Sequence, residues 1–238
     1  MKLDILAMGV HPDDVELSSA GTLLKAKSEG KKIGILDFTQ GELGTRGSAS
    51  LRLEEAAASA KILGLDVREN LGYKDAFFQN DESHQKGIIR MLRRFQPEVV
   101  LCNALEDRHP DHGRAAKLTT DACFYSGLRK IATEWEGEAQ DAWRPKAVYH
   151  YIQDRASKPD FVVDVSEFVE QKMLAIQAFK SQFYNPDSNE PESPLTMQNF
   201  FDYIKGRMTD MGRFVFADYA EGFHAARPIG VKSLEDLY

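Results

Sequence analysis

Two tetrads stand out for the chemistry their side chains could do: His11-Pro12-Asp13-Asp14, and His109-Pro110-Asp111-His112 about a hundred residues later. Imidazole nitrogens and carboxylate oxygens are donors that zinc accepts, and a hydrolytic zinc needs about three of them with one position left for water. His11, Asp14 and His112 can supply the three. Asp13, next to Asp14 and pointing to its other side, is then free to act as general base towards the attacking water. His109, on the substrate side, can stabilise an oxyanion or, with a raised pKa, protonate a leaving amine. The reaction class is metal-assisted hydrolysis of an amide. Asp111 is left to hold an imidazole or to cap the following helix. Taken singly, a His before Pro is a turn residue and an Asp after Pro a helix cap. The argument for a site rests on two such tetrads occurring at matching strand ends.

Each tetrad follows a short apolar run, Leu3 to Val10 and Val99 to Ala104, and precedes a helical pattern, so both sit on strand-to-helix loops. In an open parallel sheet these loops lie at the carboxyl ends of the strands, where ligands bind. The remaining elements fit that frame. Strands are expected over Lys2 to Val10, Lys32 to Thr39, Val67 to Leu71, Val99 to Ala104, Ala147 to Ile152 and Phe161 to Val165. Helices are expected over Val15 to Glu29, Leu51 to Leu63 with Ser50 as N-cap, Glu82 to Phe95, Gly113 to Tyr125, Glu167 to Phe183 with Ser166 as cap, and Met197 to Met211. Gln40 to Ser50 is a Gly-rich polar loop able to approach a ligand closely, and Asn185 to Pro194 is an exposed Pro-rich loop. Phe214 to Pro228 takes no clear pattern. Strand and helix in alternation predict an α/β, Rossmann-like doubly wound, mostly parallel sheet with helices on both faces and a C-terminal helical elaboration. The chain reads as one domain over 1–238, an α/β core over 1–165 followed by C-terminal helices and tail over 166–238.

The 238 residues are 42% hydrophobic and 28% charged, the balance of a soluble globular protein. A net charge of −7 argues against nonspecific nucleic-acid binding, although a few local arginines could still hold a small anion. No signal peptide or membrane span is expected, because Asp4 interrupts the first apolar run and no small-residue cleavage site follows. Cys102 and Cys123 read as reduced core residues, in keeping with a cytoplasmic location.

Three arginines are candidates for substrate binding. Arg52 falls in the first turn of a helix, where the dipole disfavours a cation, so an anionic substrate group or transition-state oxygen could hold it there. A salt bridge to Glu55 or Glu16 would serve equally. Arg108 adjoins His109 and can reach an anionic part of the substrate, and Arg46 lies in the Gly-rich loop. Asp75 belongs either to the same rim or to a turn. His84 is expected to be exposed, His150 to be structural, and His224 has no assigned role.

At these residues the chain resembles the LmbE-like, or PIG-L, family of zinc-dependent N-deacetylases, whose hallmark is an early His-Pro-Asp-Asp followed by a His-x-x-His. The resemblance implies zinc, one ion per subunit, on His11, Asp14 and His112, with Asp13 as base and His109 as the oxyanion-stabilising imidazole. Iron or cobalt would also suit such a donor set. The loop Thr39-Gln40-Gly41-Glu42-Leu43-Gly44-Thr45-Arg46-Gly47 with Arg52 and Glu55, and the ending Tyr219-Ala220-Glu221-Gly222-Phe223, resemble the bacillithiol-biosynthesis branch. That branch removes acetyl from N-acetylglucosaminyl-malate, and by this resemblance Arg52 and Arg108 meet malate carboxylates or the reacting centre, in a homohexamer. Alternatives are a deacetylase for another N-acetylglucosaminyl compound, a thiol-conjugate amidase, or a doubly wound binding module without chemistry. Against the module, no G-x-G-x-x-G follows the first strand, and Asp13 and Asp14 stand where a phosphate would need N–H groups.

Overall fold

A computed structural model describes residues 1–185 and 188–237. Its first half alternates strand and helix: β1 (Ile5–Gly9), α1 (Asp14–Ser28), β2 (Ile33–Thr39), α2 (Ala49–Leu63), β3 (Val67–Tyr73), α3 (Glu82–Phe95), β4 (Val99–Cys102) and α4 (Pro110–Tyr125). A small hairpin of β5 (Glu134–Trp135) and β6 (Glu138–Ala139) follows, then β7 (Ala147–Tyr151), β8 (Phe161–Asp164), α5 (Val169–Gln177), α6 (Phe200–Gly212) and β9 (Ala220–Ala225).

Seven strands form one sheet in the order β3-β2-β1-β4-β7-β9-β8. β3, β2, β1, β4 and β7 run parallel, and β9 pairs antiparallel with both β7 and β8. The period of two along β1 distributes its side chains between two layers. Leu6, Met8 and Val10 pack with Ile88, Ile89 and Leu92 of α3 and Leu118 of α4. Ala7 packs on the other face with Val15, Leu23 and Leu24 of α1 and Ala175 of α5. The chain builds β1, β2 and β3 outward in one direction, then crosses to place β4 on the other side of β1. Connections diverge at that junction, and their loops leave a crevice at the carboxyl ends of the strands. Both tetrads arise there.

Several elements differ from the sequence expectation for identifiable reasons. α2 begins two residues earlier, because Ser48 is extended and its hydroxyl accepts from Leu51 N at 3.2 Å, making it the cap in place of Ser50. α4 begins at Pro110, with His109 as its cap, so the second tetrad is the start of the helix. The helix expected to reach Phe183 ends at Gln177. Beyond it, Ser181 gives its N–H and its hydroxyl to Glu55, both at 2.7 Å, and Gln182 bonds Arg46 O at 3.0 Å; these tertiary bonds replace helical ones. The helix expected from Met197 begins at Phe200.

The unassigned stretch near the end contains β9, which places part of the 166–238 segment inside the sheet. Its apolar pattern is broken by Glu221, which is buried against Lys172 at 2.6 Å and also accepts from Gly21 N, Thr22 N and Thr22 Oγ1. The β5–β6 hairpin was also unexpected; it turns at Glu136 and Gly137, both with positive φ. Cys102 and Cys123 are free and buried, as expected. Pro186, part of the expected Pro-rich loop, lies outside the described residues. No helix among the described residues is long and apolar enough to cross a membrane.

Candidate metal centre and active site

β1 delivers His11 and Asp13 on a loop that folds back over the strand end before α1 begins at Asp14. The fold-back needs Gly9, where a Cβ would stand 3.0 Å from the Asp14 Cβ and 3.3 Å from Val15 Cγ2. At Asp13 the backbone has φ 145°, ψ −20°, a region that side chains rarely adopt. Such strain costs on the order of 1–3 kcal/mol and persists where the surroundings enforce it. The adjacent strand β4 delivers His109 and His112 through the loop 103–109 and the first turn of α4.

The tetrads converge. His11 and His112 lie with ring centroids 5.8 Å apart, and His109 sits 4.8 Å from His11 and 5.2 Å from His112. The Asp14 carboxylate lies between the two outer rings, with Oδ1 3.2 Å from His112 Nε2 and Oδ2 3.7 Å from His11 Nδ1. Donor atoms of His11, Asp14 and His112 all fall within 4.8 Å of one another, as do those of His11, His109 and Asp111.

Asp14 is held from behind. Its Oδ2 accepts from Val10 N, His11 N and Asn103 Nδ2 at 2.9–3.0 Å, and its Oδ1 from Gln153 Nε2 at 3.2 Å. Asn103 in turn donates to Gln153 Oε1 at 3.0 Å. The far side of each outer imidazole also meets a carboxylate: His11 Nε2 lies 3.1 Å from Asp75 Oδ1, and His112 Nδ1 lies 2.5 Å from Asp107 Oδ2. Each ring therefore stands between two acceptors, whereas a neutral imidazole has only one N–H to give. The arrangement calls for extra positive charge at its centre. Burial opposes charge on His11, but Asp14 and Asp75 prevail and push its pKa up to about 10. His112 rises in the same way to about 9 through Asp14 and Asp107. Burial raises Asp14, yet the facing His112 and His11 hold it well below the usual carboxylate range. A divalent cation among these donors would serve both rings at once, so the donor set fits a metal with nitrogen and oxygen ligands.

Asp13 faces away from this cluster. Its Oδ2 accepts from Arg52 Nη1 at 2.9 Å, and Arg52 also donates to Pro12 O at 3.0 Å and to Gln182 Oε1. Burial pushes the Asp13 carboxyl up to about 7 against the pull of Arg52. His109 Nδ1 accepts from Asp111 N at 3.3 Å; burial, then repulsion from His11 and His112, lowers its pKa. The Asp111 carboxylate binds Arg114 Nη1 at 2.7 Å and Ala76 N at 3.0 Å. It neither caps α4 nor makes a hydrogen bond to an imidazole among the described residues, because the His109 side chain occupies the cap.

The arginines divide. Arg52 pairs with Asp13 rather than with Glu55, which holds Ser181, or Glu16, which takes Arg68 and Ser59. Arg46 is spent on the carbonyls of Pro191 and Glu190, pinning the Pro-rich loop. Arg108 stands half-exposed at the mouth, paired with Asp154. All three line a cleft of about 360 Å³ that also exposes Asp13, Asp14 and the three histidines, with Phe200, Tyr203 and Ile204 of α6 on the facing wall. That volume lies in the range of small-molecule sites.

Asp75 joins this rim. His84 is half-buried against the Tyr73 ring rather than exposed, with centroids 4.6 Å apart. His150 is buried, its Nδ1 2.9 Å from Asn103 O, and His224 meets Ser157 at 2.9 Å. Sequence reasoning missed Asp107, Asn103, Gln153 and Gln182. Asp107 carried a signal, a carboxylate two residues before His109. Gln153 could be found only by knowing that β7 lies beside β4.

A profile of the PIG-L family, described as GlcNAc-PI de-N-acetylase, matches residues 6–123. Over 189 residues the chain is 30% identical to diacetylchitobiose deacetylase of Thermococcus kodakarensis, covering 75% of this chain and 70% of that protein. It is 25% identical over 195 residues to a Bacillus anthracis protein described as a probable N-acetyl-alpha-D-glucosaminyl L-malate deacetylase 2, covering 75% of this chain and 81% of the other. The crystal structure of a conserved protein from Thermus thermophilus superposes with a TM-score of 0.86 at 34% identity, covering 98% of both chains.

Proposed function

The chain belongs to the PIG-L (LmbE-like) family of metal-dependent amide hydrolases, and on that footing we propose that it uses zinc to deacetylate N-acetyl-D-glucosaminyl-L-malate. The products are glucosaminyl-malate and acetate, the deacetylation of bacillithiol biosynthesis, carried out in the cytoplasm. The observation that carries the reading is the placement of Asp13 beside, but turned away from, the cluster of His11, Asp14 and His112 in one cleft.

His11, Asp14 and His112 hold the ion, which when bound supplies Lewis acidity to the acetamide carbonyl and lowers the pKa of water. Asp13 takes a proton from the attacking water as the new C–O bond forms. Arg52 keeps that carboxylate charged and aimed. With Nδ1 accepting from the Asp111 amide, a neutral His109 carries its proton on Nε2. It gives that hydrogen bond to the carbonyl oxygen as negative charge develops. As the C–N bond breaks, the proton taken by Asp13 passes to the leaving amine. Arg108, the arginine left at the mouth, meets a malate carboxylate by exchanging out of its pair with Asp154.

The malate branch is supported by the Thr39 to Gly47 loop, by the Tyr219 to Phe223 ending and by the similarity to the Bacillus anthracis protein. A second reading, deacetylation of a chitin disaccharide, has the higher identity of the Thermococcus relative in its favour. The resemblance also carries a homohexamer, for which the exposed run Phe214-Val215-Phe216 offers an apolar contact face. Acetate release from N-acetylglucosaminyl-malate, diacetylchitobiose and N-acetylglucosamine, measured with the zinc-loaded protein, tests the reading. Clear preference for the malate compound is expected. Preference for the disaccharide would replace the substrate and keep the mechanism.

A further inference from the structure

We infer that Asp75 and Asp107 are positioning residues that clamp the two ligand histidines and fasten each to a loop of the cleft wall, so that metal occupancy is felt by both loops. The inference rests on the metal centre proposed above. It is carried by a geometry that occurs twice.

Asp75 puts Oδ1 3.1 Å from His11 Nε2, while its Oδ2 accepts from Leu43 N at 3.1 Å in the Gly-rich loop. Its own N–H donates to Glu42 Oε1 at 2.8 Å, a second tie to the same loop. Asp107 puts Oδ2 2.5 Å from His112 Nδ1, while its Oδ1 accepts from Arg155 N at 2.7 Å, in the segment carrying Gln153 and Asp154. In both cases one carboxylate oxygen faces an imidazole and the other a backbone amide of the wall. Both side chains are almost fully buried, with exposures of 6% for Asp75 and 1% for Asp107. Neither carboxylate belongs to the His11, Asp14 and His112 cluster or touches Asp13.

An imidazole that gives one nitrogen to a cation keeps its proton on the other and becomes a stronger donor there. The carboxylate receiving that stronger bond is fixed in place, and so is the acceptor oxygen it offers to Leu43 or Arg155. Losing such a partner of a ligand histidine costs about 10–100-fold in metal affinity. Two loops from different parts of the chain are thereby tied to one centre. They are also the loops that hold Arg46 and Asp154, so the cleft wall takes its final shape only when the centre is filled.

The test is amide hydrogen exchange, read on peptides covering residues 41–46 and 153–157, for metal-stripped and zinc-loaded protein. Zinc affinity is measured alongside by competition with a chromophoric chelator. Wild type is expected to slow at both segments on zinc loading, by about tenfold. In Asp75→Ala only 153–157 should respond, and in Asp107→Ala only 41–46, each variant binding zinc about 10–100-fold more weakly. Asp75→Asn and Asp107→Asn, which keep volume and one acceptor oxygen, should fall between and serve if an alanine variant does not fold. Wild-type zinc affinity in both Asn and Ala variants, or exchange at the two segments indifferent to zinc, would overturn the inference while leaving the metal centre intact. A wild-type protein that does not take up stoichiometric zinc would overturn the centre itself, and this inference with it.

Discussion

Removing Arg52 should disable the base without emptying the metal centre. Arg52 is 5% exposed, and it is the cation paired with Asp13, itself 4% exposed. Breaking one partner out of a buried ion pair costs about 3–5 kcal/mol, because the remaining charge is left without compensation. In Arg52→Ala that cost can surface in two ways. If Asp13 stays ionised, the fold bears it, and at about 2–4 °C per kcal/mol for a chain of this size the melting temperature drops by roughly 6–20 °C. If Asp13 instead retains a proton, the same energy corresponds to a factor of roughly 10² to 10⁴ in its ionisation. Turnover at neutral pH then falls at least about a hundredfold, because a neutral carboxyl takes no proton from water. Zinc content should stay at the wild-type level in either case, since Arg52 touches none of His11, Asp14 and His112. The double variant Arg52→Ala with Asp13→Asn should recover the stability, because a neutral amide no longer needs the counter-charge. The assays are thermal unfolding, zinc content and acetate release on the same preparations. An Arg52→Ala protein with wild-type melting temperature and turnover within about threefold of wild type would refute the reasoning.

Lys172→Met should destabilise the protein by about 3–5 kcal/mol in urea unfolding, because Glu221 is left charged and buried with, among the described residues, Gly21 and Thr22 to hold it. Adding Glu221→Gln should restore most of the loss; a double variant no better than the single would show that packing, not charge, is at stake. Gly9→Ala should leave the fold in place but weaken zinc binding by about tenfold, since its Cβ would press on Asp14 at 3.0 Å. Chelator competition reads this directly, and unchanged affinity would mean that the loop yields freely.

The core of the site was legible because its chemistry is local. His11, Asp13 and Asp14 share one loop, His109 and His112 share another, and the apolar runs before them declare two strand ends. What joins the loops is the order of strands, and placing β4 beside β1 needs only the alternation of strand and helix. The supporting residues were less accessible. Gln153 reaches Asp14 from the end of β7, 139 residues away. Arg52 looked like a substrate arginine because its partner, Asp13, had already been given another task. β9 was invisible because a buried Glu221 breaks the apolar pattern, and its compensation by Lys172 lies 49 residues away. The early end of α5 likewise depends on Glu55 capturing Ser181, a contact that propensity along the helix does not register.

The central claim is a division of labour between neighbouring carboxylates, with Asp14 holding the metal and Asp13 moving the proton. It is tested most directly by zinc content and acetate release of Asp13→Ala and Asp14→Ala measured side by side. Asp13→Ala should retain stoichiometric zinc and lose most of its turnover, whereas Asp14→Ala should lose the zinc. An Asp13→Ala protein that still turns over, or an Asp14→Ala protein that still binds zinc tightly, would contradict the assignment.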